Sequence, residues 1–265
     1  MMDNLISRIF AYEWVAFLAT AALLIALTAA GFRFGLRLHA AKDDARKGQV
    51  GDIQSAVFSM LGLLLGFTLS FAVGRYDMRR NLVVQEANNV GTTWLRASLL
   101  PEAHTAPVRD LLRRYVETRL KYHALSDDPA KLAEGLGLCA DIEAELWKHA
   151  TSVAQQAPNN ISGLFVTTLN QMIDTDAERL AAIRATIPSG VWLLLLAVAA
   201  SGCFVAGYHS GTQGVRTKLG SVFQPLIYTV VILLIYDLAH PRAGLIRVSQ
   251  QPLLDLLQTM QPARP

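Results

Sequence analysis

Cysteine is nearly missing from this chain: there are 2 in 265 residues. Cys203 lies inside a long apolar run and Cys139 in a polar stretch, so the two are not expected to meet. No disulfide framework or cysteine-built metal centre follows. Charge is scarce as well. Asp, Glu, Lys and Arg make up 17% of the residues, against roughly 25% in ordinary soluble domains. The formal net charge of +3 is small and its bases are mixed with acids, which argues against nucleic-acid binding. No phosphate loop, nucleophile elbow or dinucleotide fingerprint appears. The 6 histidines are scattered, and Glu145 with His149 lacks the second histidine of a metalloprotease helix. The sequence therefore points away from an enzyme and implies no cofactor and no metal. Alternating strand-like runs, internal repeats and low-complexity tracts are missing too.

Long apolar runs dominate instead. About half the residues, 52%, are hydrophobic, and the mean hydropathy is +0.31. Four segments carry no charged residue: Trp14–Phe32, Ile53–Gly74, Ile187–Tyr208 and Leu219–Tyr236. A helix needs about 20 apolar residues to cross a bilayer, so each reads as a span. Trp192, Tyr208 and Tyr236 sit near span ends, where amphipathic rings favour the headgroup zone. The first run is too long for a signal-peptide core, and Asp3 and Glu13 spoil its basic flank, so it reads as a retained span. The fold class is an all-α integral membrane protein with four transmembrane helices. Its expected organisation is spans one and two in residues 1–75, a helical insertion in 76–186, spans three and four in 187–240, and a tail in 241–265.

The insertion is helical throughout. Pro101 closes one helix, and Thr105 is expected to cap the next, with Pro107 in its first turn. Asp127, Asp128 and Pro129 mark a stop and a fresh start. Leu132, Leu136, Cys139, Leu146 and Val153 give the following helix an apolar stripe. After Pro158-Asn159-Asn160, Phe165, Leu169, Met172, Leu180 and Ile183 do the same for another.

No turn separates the second span from the polar sequence after it, "GRYDMRRNLVVQEANNVGTTWLRA". Steps of three and four residues from Ser55 through Ser59, Gly62, Gly66, Leu69, Val73, Tyr76, Arg80, Val83, Ala87, Val90 and Trp94 to Ala97 trace one seam. The spacing predicts a single helix from the membrane into water, with Gly91 its weakest point. Ser59, Gly62 and Gly66 are small residues suited to close helix packing and self-association. Another face carries Asn81, Gln85, Asn88, Thr92 and Arg96. It reads either as a solvated surface or as the wall of a vestibule, since amides, hydroxyls and an arginine replace part of an anion's hydration. An ordinary solvated face would favour Lys and Glu, which are better helix formers.

Asp237 follows the last span, at a helix C-terminus where the dipole disfavours negative charge. A cationic partner is expected from Arg75, Arg79 or Arg242. The pair would clasp two span exits, with or without a part in conduction. Positive-inside counting gives seven basic residues on one side and eight on the other, so charge does not orient the chain.

The blocks "GLLLGFTLSFAVGRYDMRRNLVVQEANNVGTTWLRASLL" and "DLAHPRAGLIRVSQQPLLDL" resemble the signature blocks of bacterial bestrophin-like membrane proteins. The likeness extends to the plan of four spans with a long insertion between the second and third. Bestrophins are pentameric anion channels whose second span lines the pore and continues into the cytosol. The resemblance thus implies a homo-oligomer, with five subunits as the family's count, in a bacterial inner membrane and passing a small inorganic anion. It also implies a cytosolic insertion and cytosolic termini. Met60, Leu64, Phe67 and Phe71 are the nearest match to the bestrophin neck. The acidic calcium clasp of animal bestrophins is not recognisable. A membrane-anchored helical scaffold without conduction is the competing reading.

Overall fold

The computed structural model describes residues 13–38, 44–124, 129–215, 218–240 and 246–261, and every regular element among them is a helix. Arg242 and the stop at Asp127 and Asp128 lie outside the described residues. The helices are α1 (Glu13–Leu38), α2 (Asp44–Ala97), α3 (Glu102–Ala124), α4 (Pro129–Gln156), α5 (Asn160–Arg184), α6 (Ser189–Gln213), α7 (Lys218–Ala239) and α8 (Gln251–Thr259). Four of them contain stretches long and apolar enough to cross a membrane: α1, α2, α6 and α7. This is the all-α membrane architecture that the uncharged runs required.

Helix α2 is unbroken over 54 residues, a length of about 80 Å at 1.5 Å per residue. No break falls between Gly74 and Asn81, so the second span does continue as one helix. It starts nine residues before the expected span, at Asp44 instead of Ile53. The chain divides into two compact units, and their boundary at Arg75/Tyr76 lies within this helix.

The membrane unit comprises the chain to Arg75 together with Thr186–Ile246. Its tightest contact joins α1 to α6 through four glycines. A Cβ on Gly31 would lie 2.1 Å from the Phe204 carbonyl oxygen, and one on Gly35 would lie 2.2 Å from that of Tyr208. Reciprocally, a Cβ on Gly207 would meet the Thr28 oxygen at 2.0 Å, and one on Gly211 the Phe32 oxygen at 2.3 Å. The obstacles are backbone atoms, which no rotamer change can move aside. Two small-xxx-small motifs, Gly31/Gly35 and Gly207/Gly211, thus let the two backbones touch. Around this contact Leu24, Ala199 and Cys203 are buried, and Leu61 and Ala72 bury the inner face of α2. The Phe58 ring meets Tyr228 edge-on at 6.3 Å, and Trp192 packs 5.6 Å from Tyr236, which stacks on His240 at 3.9 Å.

The second unit, Tyr76–Ala185 with Arg247–Pro265, contains the outer half of α2 with α3, α4, α5 and α8. A continuous apolar core holds it together, with Val90, Leu112, Tyr115, Leu146, Phe165, Leu169, Met172 and Leu253 fully buried. The predicted stripes of α4 and α5 supply Cys139, Leu146, Val153, Phe165, Leu169 and Met172 to this core. A reciprocal capping box starts α5: the Asn159 carboxamide accepts from the Ser162 N–H while the Ser162 hydroxyl accepts from the Asn159 N–H. Helix α3 starts earlier than predicted. The Pro101 carbonyl accepts from the His104 and Thr105 N–H groups, and the Thr105 hydroxyl donates to the Leu100 carbonyl at 3.0 Å instead of capping. Pro107 is tolerated inside α3 because the carbonyl it deprives of a donor belongs to exposed Ala103. Gly91 has a packing reason: a Cβ there would stand 3.2 Å from the Leu256 methyl of α8.

Candidate functional site

Helix α2 offers different faces along its length. In the membrane half the face turned into its own unit is Leu61, Leu65, Thr68 and Ala72, all buried. The predicted packing residues Ser59, Gly62 and Gly66 are exposed within the chain, and nothing lies within 4 Å of a Cβ built on either glycine. Phe67 and Phe71 are 57% and 69% exposed. In the outer half the seam turns inward: Val83, Ala87, Val90 and Ala97 are buried and Trp94 is partly so. Geometry explains the switch. A 3.5-residue repeat slips about 20° per heptad around a straight 3.6-residue helix. Over the six heptads from Ser55 to Ala97 that amounts to roughly 120°. The seam therefore starts on an uncovered face and ends in the core of the second unit.

The polar residues divide likewise. Asn81, Gln85 and Asn88 are exposed, whereas Thr92 and Arg96 are half-buried. An Arg96 guanidinium nitrogen donates to the Leu164 carbonyl of α5 at 2.6 Å, which pins the side chain. The amide engaged inside the unit is Asn89, which donates to Thr175 Oγ1 at 2.8 Å and to the Gln171 carbonyl at 3.2 Å. The remaining Arg96 donors and the exposed amides can hydrogen-bond an anion, and Phe67 and Phe71 offer it no hydration.

Asp237 accepts a hydrogen bond from the Ile246 N–H at 3.0 Å, tying the end of α7 to the start of the tail. Arg75 is half-buried in the same unit, and Arg79, in the other unit, is buried.

The sequence reading missed the most polar feature of the second unit. Glu86 is fully buried on the α2 face that carries Val83, Ala87 and Val90. Its carboxylate accepts from the Tyr115 hydroxyl at 2.7 Å and from Arg119 Nε at 2.9 Å, and its second oxygen pairs with an Arg179 guanidinium nitrogen. Arg119 also pairs with Asp176 at 2.6 Å, and Arg179 donates to the Gln250 side chain at the head of α8. One carboxylate thus joins α2, α3 and α5, and through Arg179 reaches α8. Burial pushes the Tyr115 phenol well above its usual range, so it serves as a permanent donor. Beside this cluster the Glu143 carboxyl is pushed up to about 7, by burial first and by the Asp176 charge second, against the opposing pull of Arg119.

Among the described residues no group of three or more His, Cys, Asp or Glu could hold a metal ion. His104 and His149 make a pair, with their Nδ1 atoms 3.0 Å apart. Burial first, then the charge of His104, lowers the pKa of His149.

Two crystal structures of single-substitution variants of a bacterial bestrophin homologue from Klebsiella pneumoniae share this fold. One matches with a TM-score of 0.63 at 15% identity, over 91% of this chain and 99% of that one. The other matches with a TM-score of 0.62 at 16% identity, over 92% and 96%. No curated protein matches the chain. The family model described as Bestrophin-like domain matches residues 19–253, from within the first span through the insertion and the other three spans. By that match this chain belongs to the Bestrophin-like family.

Proposed function

We propose that the protein is an oligomeric, anion-permeable channel in which α2 lines an axis shared by several copies. The observation that carries this reading is the uncovered face of α2. Its membrane half leaves Ser59, Gly62, Gly66, Phe67 and Phe71 without cover in the chain, and its outer half exposes Asn81, Gln85 and Asn88. Glycine without a neighbour is a poor choice for a face that only meets lipid, and its use is to let another helix come close. Gly62 and Gly66 then pack copies together while Phe67 and Phe71 narrow the passage, which would gate by dewetting. Asn81, Gln85, Asn88 and Thr92 line the vestibule beyond, and Arg96, held by Leu164, sets its charge. Repeating one arginine by the subunit number favours anions over a screening distance of roughly 10 Å. On this reading the channel is a pentamer in a bacterial inner membrane, with its insertion and termini on the cytosolic side. Asp237, with Arg75 of the same unit as its cation, closes the exits of spans two and four.

The test is ion flux in liposomes containing the purified oligomer. Chloride should pass faster than sodium or potassium, and Arg96→Glu should lower or invert that preference. A specific observation favours the scaffold reading as the alternative: Leu95 and Leu99 are 68% and 59% exposed at the far end of α2, as a recruiting surface requires. Oligomers that conduct nothing, with side chains or lipid filling the axis, would decide for the scaffold.

A further inference from the structure

The buried cluster around Glu86 has a charge count that depends on one proton. Its carboxylates are Glu86 and Asp176, and its guanidinium groups are Arg119 and Arg179. These four balance. Glu143 on α4 is the odd acid beside them, and its Oε1 is buried with no hydrogen-bond partner among the described residues. The groups that feel its charge or act on it are Arg119 and Tyr115 on α3, Asp176 on α5, and Cys139 one turn earlier on its own helix. Among the described residues Arg119 is the only cation acting on Glu143, and Glu86 and Asp176 already use it.

We propose that Glu143 is a proton-operated latch for α4. Protonated, it lets α4 sit against α3 and α5 with the buried charges balanced. Ionised, it adds a third negative charge that must share Arg119, and α4 opens more readily. The direction follows from linkage. The carboxyl is held at about 7 in the fold, above its ordinary 4.5, so the closed state binds more protons than the opened one. Stability of the closed state is complete at low pH. It declines as pH rises from the ordinary carboxyl range and reaches its floor above pH 7. The latch is therefore shut in acid and eased in mildly alkaline conditions, opposite to the usual behaviour of a paired carboxylate.

Cys139 provides the readout, because it is 1% exposed, four residues from Glu143, and within reach of Arg119. In the intact protein, alkylation of Cys139 is followed by mass spectrometry of its peptide. Each rate is divided by that of an unprotected cysteine peptide at the same pH, which removes the ordinary thiolate effect. Between pH 5 and pH 8 the normalised rate should rise about tenfold or more in the native protein. In Glu143→Gln, which keeps the shape and cannot ionise, it should stay flat. A second measurement uses thermal unfolding of the two proteins. The melting temperature of Glu143→Gln should exceed the native value at pH 8, and the gap should shrink towards pH 5. A labelling rise of the same size in both proteins would overturn the proposal, and would assign the pH response to groups the substitution leaves untouched, such as His149. A melting difference that does not change with pH would overturn it equally.

Discussion

The two units of this chain solve the same problem, holding long helices together, with opposite chemistry. In the membrane unit α1 and α6 are joined by Gly31, Gly35, Gly207 and Gly211, where a methyl group would stand 2.0 to 2.3 Å from a backbone oxygen. In the second unit the helices close on an apolar core pinned by Glu86, Arg119, Arg179 and Asp176. The difference is one of solvent. Lipid gives two apolar helices no reason to leave it, so association there needs close backbone packing. Water drives apolar burial by itself, and specificity then falls to polar groups that must match once buried. Shape decides in one region and charge in the other.

Substitutions that exchange the two chemistries should hurt most. Arg179→Met removes one partner of a fully buried carboxylate, and the expected cost to the second unit is about 3–5 kcal/mol. Replacing Glu86, Asp176, Arg119 and Arg179 together with apolar residues of similar volume should cost far less, as no charge of the cluster is left stranded. Unfolding in detergent, read by Cys139 labelling, compares the two. If the fourfold replacement is as damaging as the single one, the cluster is not acting as a matched set.

Next in size is the glycine contact. Gly207→Ala places a methyl group 2.0 Å from the Thr28 oxygen, and the helices must separate at a cost of about 1–3 kcal/mol or more. Gly62→Ala and Gly66→Ala meet nothing inside the chain. They should not lower the melting of the monomeric fold, whereas Gly62→Leu and Gly66→Leu should reduce oligomer size on a sizing column. Equal effects at all three glycines on monomer stability would erase the distinction between contacts within and between copies.

Smaller again is the link at the end of α7. Asp237→Ala leaves the Ile246 N–H without its acceptor, which costs about 1–3 kcal/mol. Asp237→Asn, which keeps an acceptor oxygen, should lose less. A double-mutant cycle with Arg75→Ala measures any pairing between the two. At the bottom of the scale, Asp110→Asn removes an exposed partner of Arg113 on α3 and should not move the melting temperature measurably. A shift as large as that of Arg179→Met would mean that burial does not separate strong ion pairs from weak ones in this unit.

How much of this was legible in the sequence follows the same division. Four uncharged runs could only be spans, and the lack of a turn after Gly74 made α2 continuous, because both are local signals. Gly31/Gly35 and Gly207/Gly211 are visible as four-residue spacings, but their partnership joins residues far apart in the chain. Glu86 was legible only as an acid inside the stripe Val83, Ala87 and Val90, while Arg119 and Arg179 come from other helices. Arg96 fitted the spacing of an open polar face, yet the Leu164 carbonyl turns it partly inward. The long seam has a repeat of 3.5, and a straight helix carries such a repeat off its face.

The most direct test of the proposed channel is whether the uncovered membrane face of α2 meets its own copies. Phe71→Cys, made in the intact protein with Cys139 and Cys203 replaced by alanine, places a single thiol on that face. Oxidation in lipid should then link subunits through this position, and the control without the new cysteine should stay uncrosslinked. If the oligomer is intact but no crosslink forms at Phe71→Cys, nor at Phe67→Cys or Gly66→Cys, α2 does not line a shared axis and the channel reading fails.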